Sequence, residues 1–143
     1  MPRFTGFSDH SLDDKGRFVV PARYRERLGA GFVLTIAPPD RCLALYPPST
    51  WETFCERLDA APRKDERYRR HVRNIFAMSS EVTCDAQGRL LIPPALREYA
   101  RIDREARAIG TLTRVEIWSP AVLGEMAVDD AEAADFATEL GLY

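Results

Sequence analysis

The sequence has few cysteines and no long apolar run. Cys42, Cys55 and Cys84 are odd in number and far apart, and they form no C-x-x-C pair. This pattern argues against a disulfide framework and against a zinc site, and it favours small apolar side chains in a reducing compartment. No uninterrupted apolar stretch comes near the ~20 residues that are needed to cross a bilayer. We therefore expect no metal, no cofactor and no membrane partner.

Recognisable catalytic motifs are also lacking. The chain has no Gly-rich phosphate loop, no paired-carboxylate motif and no H-E-x-x-H sequence. His10 and His71 are its only histidines, and neither has a Cys or His at ligand spacing. Residues 8–11 contain the residue types of a Ser-His-Asp triad, but neighbours on a strand point to opposite faces and cannot relay a proton as written. We expect a protein that is not an enzyme and has no small-molecule substrate.

What is present is the composition of a soluble globular domain. The chain has 143 residues, of which 45% are hydrophobic and 29% are charged, so it is long enough to bury a core. Its start lacks the apolar segment of a signal peptide, and we expect a cytoplasmic location. The net charge is −2, but residues 125–143 carry six acids and neither Lys nor Arg. The other 124 residues therefore have a net charge of +4, which is compatible with nucleic-acid binding.

The most informative feature of the chain occurs twice. Residues 13–26 and 85–98 each read as a polar turn ending in Gly-Arg, a three-residue apolar run, a proline and a short helical start containing Arg-Glu. The same register continues into residues 43–46 and 115–118. Because there are only two copies, this is a duplicated half-domain and not a solenoid.

Each copy predicts the element order β-β-α-β-β. The first half is expected to have strands over residues 4–12, 18–20, 32–36 and 42–46 and a helix over 22–28. The second half is expected to have strands over 81–84, 90–92, 106–110 and 115–118 and a helix over 94–100. Before the second strand of each half, an Asp and a Gly are typical of a tight hairpin turn, because Asp bonds its own backbone and Gly supplies a positive φ.

The remaining segments are predicted to be helical. Residues 49–52 have capping-box spacing and begin one helix, a second helix covers about residues 64–78, and a third starts at Ser119. The second carries a basic face, which is either a phosphate-facing surface or, more simply, a solvated face or a contact with an acidic partner. That face comprises Arg63, Lys64, Arg67, Arg69, Arg70 and Arg73. The acidic tail from Asp129 has apolar residues at helical spacing, and it either docks on another surface or frays.

The two halves are expected to bury each other. Each is small for a free-standing core, and isolated two-stranded hairpins are marginal in water. We predict an α+β fold in which the halves form one compact β-barrel with pseudo-two-fold symmetry and additional helices. The expected divisions are a first half over residues 4–48, a helical connection over 49–79, a second half over 80–120, and a C-terminal helix with the acidic tail over 121–143.

The doubled motif is similar to the tandem motifs of the MraZ family of bacterial DNA-binding regulators. The residues that carry the likeness are Asp13, Lys15, Gly16, Arg17 and Pro21 in the first copy, and Asp85, Gln87, Gly88, Arg89 and Pro93 in the second. The resemblance extends from residue 4 to about residue 127. The sequence departs from the family pattern in having Pro2 and Arg3 at its front, Gln87 where the first copy has Lys15, and the acidic tail.

The resemblance implies a swapped-hairpin barrel of the SpoVT/AbrB type, formed within one chain by its two halves. It also implies ring-shaped homo-oligomers in the cytoplasm, associated with the nucleoid. These would bind double-stranded DNA sequence-specifically, at short direct repeats upstream of their own division and cell-wall gene cluster.

The residues suggest how such a protein would contact DNA. The major groove admits a two-stranded ribbon, and Lys15 is a compact charge for phosphate. Arg17 has a planar fork that can hold a phosphate or a guanine edge, and Arg89 is its counterpart. Gly16 and Gly88 would set the backbone so that these side chains project. The alternative is that both Gly-Arg pairs are hairpin geometry with a surface arginine.

Four further arginines are weaker candidates. Arg25 and Arg97 precede a Glu at matching helix positions, so each either binds phosphate or forms an internal ion pair that braces its helix. Arg3 and Arg23 are additional electrostatic candidates for DNA binding. A different class of function is also open, namely a non-catalytic oligomeric module, antitoxin-like or a structural ring, with only non-specific DNA affinity.

Overall fold

The computed structural model describes residues 3–142, which fold into eight strands and six helices. The first half contains β1 (Phe7–Ser11), β2 (Arg17–Val19), α1 (Ala22–Leu28), β3 (Phe32–Ile36) and β4 (Leu43–Tyr46). The connection contains α2 (Pro48–Asp59) and α3 (Glu66–Ala77). The second half contains β5 (Ser80–Val82), β6 (Arg89–Leu91), α4 (Pro94–Ala100), β7 (Glu105–Gly110) and β8 (Val115–Trp118). Two helices follow, α5 (Pro120–Gly124) and α6 (Asp130–Leu140).

The strands form a six-stranded antiparallel sheet and a separate two-stranded ribbon. The sheet has the order β1-β7-β8-β4-β3-β5, and the ribbon pairs β2 with β6. Exchanging each strand for its counterpart in the other half gives the same order read backwards. The fold therefore has a pseudo-two-fold axis, which passes between β4 and β8 and between β2 and β6.

The halves are interlocked through their first strands. β1 pairs with β7 of the second half, from Phe7 opposite Ile109 to Ser11 opposite Glu105. β5 pairs with β3 of the first half, with Val82 opposite Phe32. This confirms the predicted α+β class and the exchange of strands between halves. The sheet and the ribbon are separate ladders around one core, so the strands do not close into a single continuous barrel.

The larger of two hydrophobic core clusters lies between the ribbon and the sheet. The inward residues of the ribbon, Phe18 and Leu90, pack in the same cluster as Leu34, Leu45 and Ile117 from the central strands. All five are at most 1% exposed. Both halves supply residues to this cluster, so it is complete only when the two halves are together.

Several predicted boundaries differ from the structure. The prediction of a capping box at residues 49–52 is wrong. α2 begins at Pro48, and its N-cap residue, Pro47, forms no side-chain hydrogen bond. Proline at the first helical position needs no N–H partner and starts the helix before Ser49. The sequence interpretation missed the cap of α3, where the side chain of Asp65 accepts from the Tyr68 amide at 3.0 Å. β1 is shorter than expected, and Gly6, at φ +76°, precedes it.

The C-terminal segment is helical but peripheral. α6 begins after Asp129, whose side chain accepts from the Glu132 amide, and it ends at Gly141 in the left-handed conformation. Across residues 3–142, no helix is both long enough and apolar enough to span a membrane.

Candidate nucleic-acid interface

The first turn is organised by Asp13. Its Oδ1 accepts from the Lys15 amide at 3.0 Å and from the Arg17 amide at 2.9 Å, while its Oδ2 accepts from Arg17 Nε at 2.6 Å. The Gly16 amide donates to the Asp13 carbonyl at 2.9 Å, with Gly16 at φ +81°. The backbone hydrogen bond from Arg17, followed by its side-chain bond, lowers the pKa of Asp13 below its ordinary value. A charged Asp13 therefore holds both the backbone of the turn and the Arg17 side chain.

The second turn repeats this geometry around Asp85. Its Oδ1 accepts from the Gln87 amide at 2.9 Å and from the Arg89 amide at 2.8 Å, and its Oδ2 accepts from Arg89 Nε at 2.8 Å. Gly88 is at φ +77°. The backbone bond from Arg89 is again the largest cause that lowers the pKa of Asp85. The repeated sequence thus encodes two equivalent turns.

The turns flank a two-stranded ribbon whose outer face is exposed. Phe18 lies opposite Leu90 and points inward, while Arg17 lies opposite Leu91 and Val19 lies opposite Arg89 on the outer face. Val19 is 37% exposed and Leu91 is 55% exposed. The outer face therefore presents two arginines and two apolar side chains, related by the pseudo-two-fold axis.

The sequence suggested that each turn is the tip of a simple hairpin, but the structure shows a different arrangement. The strands on either side of the first turn pair with the other half, β1 with β7 and β2 with β6. The Gly16 carbonyl accepts from the Ile92 amide and the Gly88 carbonyl accepts from the Val20 amide, both at 3.0 Å. The turns therefore lie at opposite ends of the ribbon, which is itself the two-stranded element.

Arg25 and Arg97 each reach across to the turn of the opposite half. A Cβ on Gly88 would lie 2.0 Å from Arg25 Nη1, and a Cβ on Gly16 would lie 3.1 Å from Arg97 Cζ. Arg25 Nη1 also donates to the Val20 carbonyl at 2.6 Å. Within residues 3–142, neither arginine forms the internal ion pair that the sequence left open. Glycine is favoured at both turns by the positive φ, and at Gly88 the Arg25 guanidinium also occupies the space that a side chain would need.

The two copies differ in how many guanidinium nitrogens of the arginine already donate a hydrogen bond within the chain. Arg17 uses only Nε, so its two terminal nitrogens have no partner among the described residues. Arg89 additionally donates from Nη2 to Gln87 Oε1 at 3.2 Å. Lys15 stands where the second copy has Gln87, and its side chain is exposed, with no ion pair in the described part of the chain. The first copy therefore offers more uncompensated positive charge.

Arg3 and Arg23 lie in a different environment. Arg23 donates to the Phe7 carbonyl at 3.2 Å and its guanidinium lies 4.6 Å from the centre of the Tyr24 ring. The Arg3 carbonyl accepts from the side chain of Arg27. These contacts involve the N-terminal segment and β1, not the turns. The sequence interpretation missed Arg27, although it lies one helical turn after Arg23.

The basic side chains around α3 are all exposed, as expected of a charged helix face. Arg63 pairs with Asp65 at 3.5 Å and Lys64 with Asp59 at 3.9 Å. The exposed members of the set are Arg63, Lys64, Arg67, Arg69, Arg70 and Arg73.

The triad residue types in β1 are not assembled into a triad. Ser8 Oγ lies 2.6 Å from His10 Nε2, because residues two apart share a face of the strand. Asp9 points to the other face and pairs with Arg107 through bonds of 2.7 and 3.0 Å, which lower its pKa. The sequence interpretation missed the contact between Ser8 and His10, although the alternation of a strand predicts it. The carboxylate is not in line with this pair.

The three cysteines are free thiols. Burial raises the pKa of Cys42 to about 12, and burial also raises the pKa of Cys55 and Cys84. Such thiols stay protonated at neutral pH and are poor nucleophiles and metal ligands. Across the part of the chain that the structure describes, no group of three or more His, Cys, Asp or Glu side chains is placed to hold a metal ion.

Comparisons with known proteins agree with the duplication. The model of a family described as "MraZ protein, putative antitoxin-like" matches residues 4–74 and again residues 75–137. A Transcriptional regulator MraZ of Desulfitobacterium hafniense (strain Y51) is 41% identical over 143 residues, covering 97% of this chain and 99% of that protein. Proteins of the same name from Moorella thermoacetica and Clostridium acetobutylicum are 46% identical over 116 residues and 40% identical over 142 residues. The former alignment covers 81% of this chain and 80% of the relative, and the latter covers 97% and 99%.

Proposed function

This chain belongs to the MraZ family, and from that premise we propose that it is a transcriptional regulator which binds double-stranded DNA through the outer face of the β2–β6 ribbon. It acts by binding and not by catalysis. The observation that carries the proposal is the pair of outward arginines, Arg17 and Arg89, on a two-stranded ribbon whose other face is fixed in the core. The major groove is wide enough to admit such a ribbon.

The geometry suggests a division of roles on this face. Each guanidinium is oriented by an Asp through Nε, so its terminal nitrogens project from a fixed position. A fixed planar fork suits a phosphate or the O6 and N7 atoms of guanine. Lys15 supplies a further charge for phosphate at one end of the ribbon. The outward apolar side chains, Val19 and Leu91, are suited to contact with thymine methyl groups.

Arg25 and Arg97 support the interface from behind the turns. Their guanidinium groups lie against Gly88 and Gly16 and add positive potential at both ends of the ribbon. In this proposal they position the turns, and Arg17 contributes most to DNA affinity, followed by Lys15 and then Arg89. Arg3 and Arg23 contribute at most long-range attraction.

The proposal includes self-association and a specific arrangement of sites. One ribbon covers only a short DNA segment, and linking several weak contacts in one assembly raises the overall affinity for repeated sites. We propose that the protein forms ring-shaped homo-oligomers that bind short direct repeats upstream of its own division and cell-wall gene cluster. It acts in the cytoplasm, on the nucleoid.

A DNA titration tests this function. The full chain is titrated against the DNA upstream of its own gene and against a scrambled duplex of equal length, at several salt concentrations. We expect the upstream DNA to bind at least about a thousandfold more tightly, and both affinities to fall as salt rises. Equal affinity for the two duplexes would favour the oligomeric interaction module, and absence of salt dependence would contradict binding through arginines.

A further inference from the structure

The pair of helices α2 and α3 leaves an apolar cleft open to solvent. The two helices contact each other through Trp51 and Phe76, with ring centres 5.4 Å apart, and through the Tyr68 hydroxyl, which donates to the Leu58 carbonyl at 2.8 Å. Beside this contact is a cleft of about 420 Å³ whose floor includes Leu58, Tyr68, Val72 and Ile75. Although α3 is described over its whole length, none of its side chains is fully buried.

The rim of this cleft is predominantly basic. Arg63, Arg67 and His71 line it, against one acidic residue, Asp65. Arg63 is already close to Asp65, at 3.5 Å. Arg67 has no ion pair among residues 3–142. The cleft therefore suits an apolar segment that carries negative charge along one side.

Helix α6 has this character and leaves its apolar side in solvent. Phe136 and Leu140 lie on one face, one turn apart, and are 59% and 57% exposed. Glu132 and Glu139 lie four residues before and three residues after Phe136, so they border the same face. Over its entire described length α6 has no fully buried side chain.

We propose that α6 of one chain docks in the α2–α3 cleft of a second copy of the same chain. Phe136 and Leu140 enter the cleft, and the two glutamates approach Arg67 and the neighbouring rim. The inference rests on the proposed self-association and names the surfaces that produce it. It also gives the acidic tail a role, namely linking neighbouring subunits.

Charge and placement favour a second copy over other occupants. In its own chain α6 lies with its apolar residues exposed, not in the cleft. DNA is excluded as the partner of α6, because the helix and its cap carry Asp129, Asp130, Glu132, Asp135 and Glu139 without any Lys or Arg. A second copy brings the complementary basic rim wherever the protein is concentrated enough to associate.

Charge reversal tests the contact. Arg67→Glu, and separately Glu132→Lys with Glu139→Lys, are each expected to weaken self-association of the full chain about fivefold or more. Combining the two sets restores opposite charges and should recover most of the loss. Arg70→Glu is the matched control, since Arg70 is exposed on the same helix but does not line the cleft. The measurement is the mass distribution by sedimentation over a range of concentrations.

Cross-linking tests which chain supplies the helix. His71→Cys and Ala133→Cys chains are co-expressed and exposed to a mild oxidant, and each is also treated alone. Ala133 lies on the apolar side of α6 and its neighbour Ala134 lies on the opposite side, so Ala134→Cys is the control. We expect a disulfide-linked dimer when His71→Cys chains are combined with Ala133→Cys chains, and no such dimer when they are combined with Ala134→Cys chains. The double variant His71→Cys with Ala133→Cys in one chain reports docking within a chain, as a faster-migrating monomer.

The outcomes separate this inference from the proposed function. A monomeric parent chain at all concentrations would overturn both the self-association and the docking. An oligomer whose mass is unchanged by either charge set, or a cross-link that forms within one chain only, would overturn the docking alone. DNA binding by the ribbon is unaffected by these last two results, because none of the substituted residues lies on β2, β6 or the turns.

Discussion

The carboxylates of Asp13 and Asp85 each stabilise a turn and also orient an arginine side chain. Their carboxylates bond the backbone amides of the turn and also fix the Nε of the arginine that leaves it. An arginine can accept this arrangement because its guanidinium has five donors, so bracing through Nε leaves the terminal nitrogens available. A lysine has all three of its donors on one nitrogen, so it cannot bond the carboxylate at one position and present a separate planar pair of donors to a ligand. This explains why the Gly-Arg sequence, and not Gly-Lys, suits both copies.

The first prediction concerns the charge on Asp13. Its pKa is lowered in the folded chain, chiefly by the Arg17 amide, so its stabilisation is present above the unfolded pKa, near 4, and is lost as the pH falls through the lower folded pKa. Asp13→Asn should therefore be less stable than the parent at pH 7, and the difference should shrink below about pH 4. Urea unfolding at several pH values measures this. Asp14→Asn, in the same turn, is the control, and a difference independent of pH would contradict the assignment.

The second prediction concerns the space between Gly88 and Arg25. Gly88→Ala places a methyl group where Arg25 Nη1 now lies, so the guanidinium must leave the Val20 carbonyl. In an Arg25→Ala background the methyl group meets no guanidinium, while the backbone strain at φ +77° is unchanged. A double-mutant cycle by urea unfolding should give a coupling free energy of about 1 kcal/mol between the two sites. Additive effects would show that Arg25 does not occupy this space in solution.

Among the secondary-structure elements, the strands that are exchanged between the halves link the two halves into one folded unit. β1 pairs with a strand of the other half that is 94 or more residues away in sequence. β5 also pairs with a strand of the other half, about 45 to 50 residues away. The inward residues of the ribbon, Phe18 and Leu90, are also contributed one from each half. Cooperative folding of this chain therefore requires both copies.

The third prediction follows from this interdependence. Fragments covering residues 1–79 and 80–143 each lack the partner of their own first strand and half of the core. Each fragment alone should show no cooperative thermal transition by circular dichroism, and mixing the two should restore strand signal and a cooperative transition. The uncut chain is the reference. A fragment that unfolds cooperatively by itself would mean that the halves are independent domains.

Local patterns in the sequence predicted some elements closely. The helices Ala22–Leu28 and Pro94–Ala100 and the strands Phe32–Ile36 and Val115–Trp118 agree with their predicted bounds, because proline, glycine and β-branched runs mark them locally. The outward direction of Arg17 and Arg89 follows from alternation along a strand. The pairing of β1 with β7 has no local signal, since it depends on packing between distant segments. The same holds for Arg25 and Arg97, whose guanidinium groups lie against Gly88 and Gly16 of the opposite half.

Over the whole molecule the backbone of the two halves is arranged symmetrically, but the charged side chains are not. The two halves share one arrangement of strands, but Lys15 faces one end of the ribbon and Gln87 the other. Helix α6 and its cap carry five acidic residues and neither Lys nor Arg, whereas each outward arginine of the ribbon is paired with a single Asp. This distribution is consistent with the proposed roles of the ribbon in DNA binding and of α6 in self-association, although the net charge of the chain is −2.

DNA binding by the outer face of the β2–β6 ribbon is best checked by comparing two double variants. Arg17→Ala with Arg89→Ala is titrated against the upstream duplex beside Arg70→Ala with Arg73→Ala, which removes equal charge from the exposed basic helix α3. The ribbon variant should lose about a hundredfold or more in affinity while its oligomeric mass stays that of the parent, and the helix variant should lose no more than a few-fold. Parent-like binding by the ribbon variant, or an equal loss in the helix variant, would show that the ribbon is not the DNA-binding surface.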